Sequence, residues 1–78
     1  MNNRRIIKGK LYLNENGRLA IEDGCNGEYE FHCGYGVELF LCGKWLSTRI
    51  EADMLSCEYY AVGLRGLKLE GLPARVRV

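Results

Sequence analysis

The residues here with chemical potential are four cysteines, one histidine and ten carboxylates in a chain of 78 residues. Cys25, Cys33, Cys42 and Cys57 are separated by seven, eight and fourteen intervening residues. None of these gaps gives the close pair, two to four residues apart, from which structural zinc sites are built. His32 adds a nitrogen beside Cys33. In an extended segment, however, neighbouring side chains point to opposite faces, so a Cys–His nucleophile would require His32 to meet Cys25, Cys42 or Cys57 through the fold. No pair of carboxylates is set apart from ordinary surface charge. Gly24, Gly27, Gly34 and Gly36 do not open a helix, so no phosphate-cradling loop is indicated. A domain this small is also expected to lack a pocket of the ~300 Å³ that substrate sites need. The expectation is a protein without catalytic residues, metal or cofactor, and with no small-molecule substrate.

The elements that would position any site are strands. Ten glycines and one proline divide the chain into short pieces rich in β-branched and aromatic residues. The pieces alternate with period two, and no stretch has sustained helical periodicity. The strand candidates are Ile6 to Leu13; Arg18 to Ile21, after an Asn16-Gly17 turn; a short piece at Tyr29 to His32; Val37 to Leu41 and Lys44 to Glu51; Glu58 to Leu64; and the terminal ARVRV. Glu22 to Glu28 reads as a loop, and Leu67-Lys68-Leu69 as a 3₁₀ turn before the last strand. The expected architecture is all-β: one domain over residues 1–78, a small barrel of five or six short antiparallel strands. Curling the sheet on itself leaves little exposed edge.

The segment Val37 to Glu51 carries the sharpest structural information. A two-residue turn at Cys42-Gly43 sets Phe40 opposite Trp45, Leu39 opposite Leu46 and Val37 opposite Thr48. Val37, Leu39, Leu41, Leu46, Thr48 and Ile50 then share the core face. Glu38, Phe40, Trp45, Ser47, Arg49 and Glu51 share the other, and a slip of one residue would invert every assignment. On the later strands Tyr60, Val62 and Leu64 are expected inward, as are Ala74, Val76 and Val78. Glu58, Tyr59, Ala61, Arg75 and Arg77 are expected outward.

Two surfaces follow. Phe40 and Trp45, joined by Tyr59 and bordered by Glu38 and Arg49, form an aromatic platform of the kind found at binding hot spots. It would suit a protein partner or a second copy of the chain. The competing structural role is a cross-strand pair, or a small cluster covered by the loop Glu22 to Glu28. The second surface follows from charge. The formal net charge is +1, but residues 1–14 sum to +4, residues 15–58 to −6 and residues 59–78 to +3. If the first and last strands are neighbours, Arg4, Arg5, Lys8, Lys10, Arg75 and Arg77 make a basic edge for an anionic partner, nucleic acid being the alternative to protein. Against this, the aromatics lie in the acidic middle of the chain, so no basic–aromatic stripe is visible in sequence order. No apolar run approaches the ~20 residues of a membrane span, and the N-terminus has no signal-peptide pattern. The expectation is a cytoplasmic protein with reduced thiols.

The order of a GKW hairpin, the string TRIE, a YYAVGL strand and a late GLPARVRV resembles a family of small bacterial domains of unknown function. That family is met mostly in Gram-positive bacteria and often on phage or other mobile elements. The match runs from Gly34 to Val78, more loosely over Gly9 to Ile21. The resemblance implies an SH3-like fold and carries no catalytic residue, because the family has no assigned activity. Cys42 stands where the family more often has Asp or Asn before the turn glycine.

Overall fold

The computed structural model describes residues 5–23 and 27–78. Seven strands occur among them: β1 Ile6–Leu13, β2 Leu19–Asp23, β3 Gly27–Glu30, β4 Gly36–Leu41, β5 Lys44–Ala52, β6 Tyr59–Ala61 and β7 Pro73–Arg77. All belong to one antiparallel sheet of order β3-β2-β1-β7-β4-β5-β6. The all-β architecture is as expected. The count rises to seven because both short pieces, at β3 and β6, find ladder partners. Of the expected loop Glu22 to Glu28, Glu22 pairs with Glu28 and Asp23 with Gly27 in the β2–β3 ladder, and residues 24–26 lie outside the described residues.

The sheet curls around a single core. After β3 the chain leaves β2, where the Phe31 N–H donates to the Leu19 carbonyl, and attaches to β5 through Gly34 N–H to Ile50 O at 2.8 Å and Ile50 N–H to Tyr35 O at 2.9 Å. Segment 31–35 therefore ties the β2 side of the sheet to the β5 side. Phe31, Leu11, Leu19, Ile21, Leu39 and Ile50 are the largest side chains fully enclosed. Tyr29 packs edge-on against Phe31, ring centroids 5.1 Å apart, and helps to cover the core. No buried polar or charged side chain interrupts it among the described residues.

The β4–β5 register is the one the two-residue turn dictates, from Leu41 opposite Lys44 to Val37 opposite Thr48. Cys42 has φ 50° and Gly43 φ 79°. Two successive positive φ values identify a type I′ turn, whose twist matches that of the flanking strands. Leu46 departs from expectation. It has core-side parity but is exposed, because β6 pairs only with Ile50–Ala52 and leaves the first half of β5 uncovered. The parity expected for β6 is reversed. Ile50 faces Ala61 and Ala52 faces Tyr59, so Ala61 is buried and Tyr59 packs on the core, while Tyr60 turns outward beside Glu51. Ala74 and Val76 point inward as expected, but Val78, beyond the end of β7, is exposed. Leu67–Leu69 forms no 3₁₀ turn. The connection from β6 to β7 is made by three β-turns, closed by Leu64 N–H to Ala61 O, Leu67 N–H to Leu64 O and Leu72 N–H to Leu69 O. Each has a positive-φ glycine (Gly63, Gly66, Gly71) at its third position, the mark of a type II turn.

Candidate functional site

The placement of β7 decides the character of the outer face. The last strand lies between β1 and β4, so Lys8 opposes Arg75 and Lys10 opposes Pro73 on one side, and Glu38 opposes Arg75 on the other. With the β4–β5 register, this lays Lys8, Arg75, Glu38 and Ser47 in one row across four strands. Lys10, Pro73, Phe40 and Trp45 fall in the row beside it. The two surfaces read separately from the sequence are one surface. The basic residues of β1 and β7 do not form an edge, because both strands are interior to the sheet. The basic–aromatic stripe that is invisible in sequence order exists in space.

Phe40 and Trp45 are in contact, centroids 5.1 Å apart and tilted by 58°. The Arg75 guanidinium lies 4.1 Å from the centre of the Trp45 ring, while its Nε donates to Glu38 Oε1 at 2.9 Å. Arg77 reaches the same oxygen at 3.6 Å. The hydrogen bond from Arg75, with the charges of Arg75 and Arg77, holds the Glu38 carboxyl below the usual carboxylate value despite an opposing effect of desolvation. Trp45 is half-buried beneath Arg75, whereas Phe40 is 38% exposed and offers the accessible aromatic surface. Arg49 sits further along β5, exposed, and pairs with Glu51 at 3.3 Å. Lys8 and Lys10 are exposed and enter no ion pair among the described residues.

Of the aromatic set, Phe40, Trp45, Glu38 and Arg49 share the outer face and Tyr59 does not. Of the basic set, Lys8, Lys10, Arg75 and Arg77 share it. Arg5 binds Asp23 through two hydrogen bonds, and Arg4 lies outside the described residues. Glu22, Asp23, Gly27 and Glu28, the described residues of the segment proposed to cover Phe40 and Trp45 in the competing structural role, belong to β2 and β3, which lie on the far side of β1 and β7 from them.

Beyond β1 the charge changes sign. Glu22, Glu28 and Glu30 face outward on β2 and β3. Tyr12 donates to Glu28, which pushes the phenol up to about 12. Hydrogen bonds from Asn16 and Asn14 lower the Glu30 carboxyl. His32 Nε2 lies 3.3 Å from Glu30 and its ring packs beside Tyr35. The outer face is thus divided, acidic over β2–β3 and basic–aromatic over β1, β7, β4 and β5.

Cys33, Cys42 and Cys57 are free and exposed, and Cys25 lies outside the described residues. Among the described residues no three His, Cys, Asp or Glu side chains gather as metal ligands would. At one end of the sheet, Leu13, Leu19, Tyr59, Leu67 and Leu69 floor an open cleft of about 560 Å³, larger than expected of so small a domain. Its Asp53 is occupied. It accepts from the Leu55 and Ser56 amides and pairs with Arg65, and those amide hydrogen bonds are the main reason its carboxyl is held below the ordinary value. The free thiol of Cys57 and the carboxylates of Glu58 and Glu70 also line the cleft.

A family model for a domain of unknown function (DUF5348) matches residues 9–76. The chain belongs to that family. No curated protein matches it. A crystal structure of a protein from Ruminococcus gnavus is similar, with a TM-score of 0.73 and 30% identity, covering 88% of this chain and 99% of the other. The bacterial family without assigned activity that the GKW, TRIE and YYAVGL strings suggested is therefore the family found.

Proposed function

We propose that this member of the family is a non-enzymatic interaction module of the bacterial cytoplasm, and that its partner is anionic and binds the outer face of β1, β7, β4 and β5. One observation carries this reading: β7 inserts between β1 and β4 and brings Lys8, Lys10, Arg75 and Arg77 beside Phe40 and Trp45. With Arg49, the face holds five cations against the carboxylates of Glu38 and Glu51, each of which already has a cationic partner. The aromatic pair that suggested a protein partner is thus set in a basic surround, which selects for negative charge. The exposed cysteines are consistent with a reducing compartment.

The test is a titration with heparin as a generic polyanion, followed residue by residue by NMR. Shifts are expected at Lys8, Lys10, Arg49, Arg75 and Arg77 and at the Trp45 indole N–H, and should vanish in a Lys8→Gln/Lys10→Gln/Arg77→Gln variant. Absence of binding at low salt, or shifts confined to the cleft between Leu13 and Leu69, would overturn the proposal.

A further inference from the structure

Resting on that reading, we infer that the anionic partner is a single-stranded nucleic acid, with phosphates along Lys8, Lys10 and Arg77 and a base stacked on Phe40. The inference starts from what an acidic peptide would leave unexplained. Carboxylates would satisfy the cations, but they have no use for an aromatic ring held open among them. Phe40 keeps 38% of its surface exposed in the row that begins with Lys10. Its partner Trp45 is already capped by a guanidinium, 4.1 Å from the ring centre. Phe40 is therefore the exposed aromatic ring on this face, with the exposed guanidinium groups of Arg49 and Arg77 on the same face, and aromatic rings and guanidinium planes are both surfaces on which unpaired bases stack.

Spacing supports the same partner. Lys8 and Lys10 are two residues apart on β1, as are Arg75 and Arg77 on β7, which puts successive cations about 7 Å apart along each strand. That is close to one nucleotide step of an extended chain. From Lys10 across β7 and β4 to Trp45 is three inter-strand intervals, about 14 Å. Phosphates on β1 and β7 thus lie within reach of a base turned towards Phe40. Duplex is disfavoured by shape. The outer side of a curled sheet is convex, and paired bases are not available to stack on a side chain. The acidic stretch of Glu22, Glu28 and Glu30 beyond β1 repels phosphate and limits the track on that side.

The experiment is fluorescence anisotropy with a labelled 12-nucleotide oligo-dT, the corresponding oligo-rU, a duplex of the same length and poly-glutamate, over a range of salt concentrations. The single strands are expected to bind more tightly than the duplex and poly-glutamate. Lys8→Gln/Lys10→Gln should reduce the salt slope by about 0.7 per phosphate contact removed. Phe40→Ala should weaken binding by about five- to 150-fold, the equivalent of the ~1–3 kcal/mol a stacked base is worth, and leave the slope unchanged. Phe40→Leu, which preserves apolar bulk without the ring, should behave like Phe40→Ala and guards against a folding defect. Duplex bound as tightly as single strand, or poly-glutamate bound as tightly with both Phe40 variants silent, would overturn this inference and leave the anion-binding face standing. Failure of every anion, heparin included, would remove both.

Discussion

Replacing Trp45 by alanine separates a surface residue from a core residue in a way the geometry quantifies. Trp45 lies against Phe40 with centroids 5.1 Å apart, an aromatic contact worth about 0.5–1.5 kcal/mol beyond area burial. Arg75 stacked on it at 4.1 Å contributes about 0.5–1 kcal/mol at a partly exposed site. Loss of these two contacts costs about 1–2.5 kcal/mol beyond area burial, or a fall of roughly 4–20 °C in Tm for a domain of this size. A chain of 78 residues has a total stability of about 4–12 kcal/mol, so the variant stays folded. Phe31→Ala is the contrast. Phe31 is fully enclosed, and its truncation costs about 3–5 kcal/mol, enough to unfold a domain in the lower part of that range. Urea denaturation followed by far-UV circular dichroism measures both, since Trp45 is the chain's single tryptophan and its fluorescence is lost in the variant. A double-mutant cycle with Arg75→Ala should give a coupling of about 0.5–1 kcal/mol. Equal losses from Trp45→Ala and Phe31→Ala, or a Trp45→Ala protein unfolded at 25 °C, would refute the assignment of Trp45 to a surface that binding can use.

Acid should destabilise the fold through particular carboxyls. Glu38, Glu30 and Asp53 all have folded values lowered from the ordinary 4.5, 4.5 and 3.8, so their contribution is complete above those values and is lost as pH falls through the lower folded ones. Urea midpoints between pH 7 and 3 should drop, and Glu38→Gln should flatten part of the slope; a pH-independent midpoint would contradict the Arg75–Glu38 geometry. Cys42→Asn should stabilise the β4–β5 hairpin by about 0.5 kcal/mol, because Cys42 holds φ 50° and asparagine tolerates that region better, and thermal melting reads the change. Leu55→Ser should shift stability by no more than about 0.5 kcal/mol, as Leu55 is 97% exposed at the tip of its loop, while Ile50→Ala should cost about 2–5 kcal/mol by the same denaturation assay.

The register of the central hairpin was legible because its loop is two residues long, and a loop of fixed length sets the pairing of everything it joins. β1 was legible for a similar local reason: Ile7 and Leu11 alternate with Lys8, Lys10 and Tyr12, and its bounds are those read from the residues. The β1–β2 turn was found through Asn16-Gly17, although only Gly17 takes positive φ. Five residues separate the two strands, the Asn14 N–H donates to the Arg18 carbonyl across Glu15–Gly17, and Asn14 Oδ1 accepts from the amides of Asn16 and Arg18. β6 was misread in parity because Tyr59 and Tyr60 are the same residue type, so alternation gives no sign of which faces in. The answer is set by the turn 53–58, where Cys57 takes φ 62° and the Asp53 amide donates to the Glu58 carbonyl. Exposure at Leu46 depends on how far β6 extends, a tertiary fact without a local signal.

The position of β7 had the largest consequence and the least local trace. A terminal strand can pair with either edge of a sheet or slip between two strands, and alternation within ARVRV is the same in each case. Only the registers on both sides fix it, Ile6 opposite Arg77 through Lys10 opposite Pro73 on β1, and Glu38 opposite Arg75 on β4. Once β7 is interior, the long-range charge segregation of the chain acquires a different meaning. Basic ends and an acidic middle, read along the chain, separate the cations from the aromatics. Folded, the acidic middle splits: Glu22, Glu28 and Glu30 go with β2 and β3 to one side of β1, while Phe40 and Trp45 go with β4 and β5 to the other. A single acid from that middle segment, Glu38, is left directly opposite Arg75, and Arg75 and Arg77 neutralise it. The net charge of +1 thus conceals the pattern, because the fold sorts nearly balanced charges into two regions of opposite sign on one outer face.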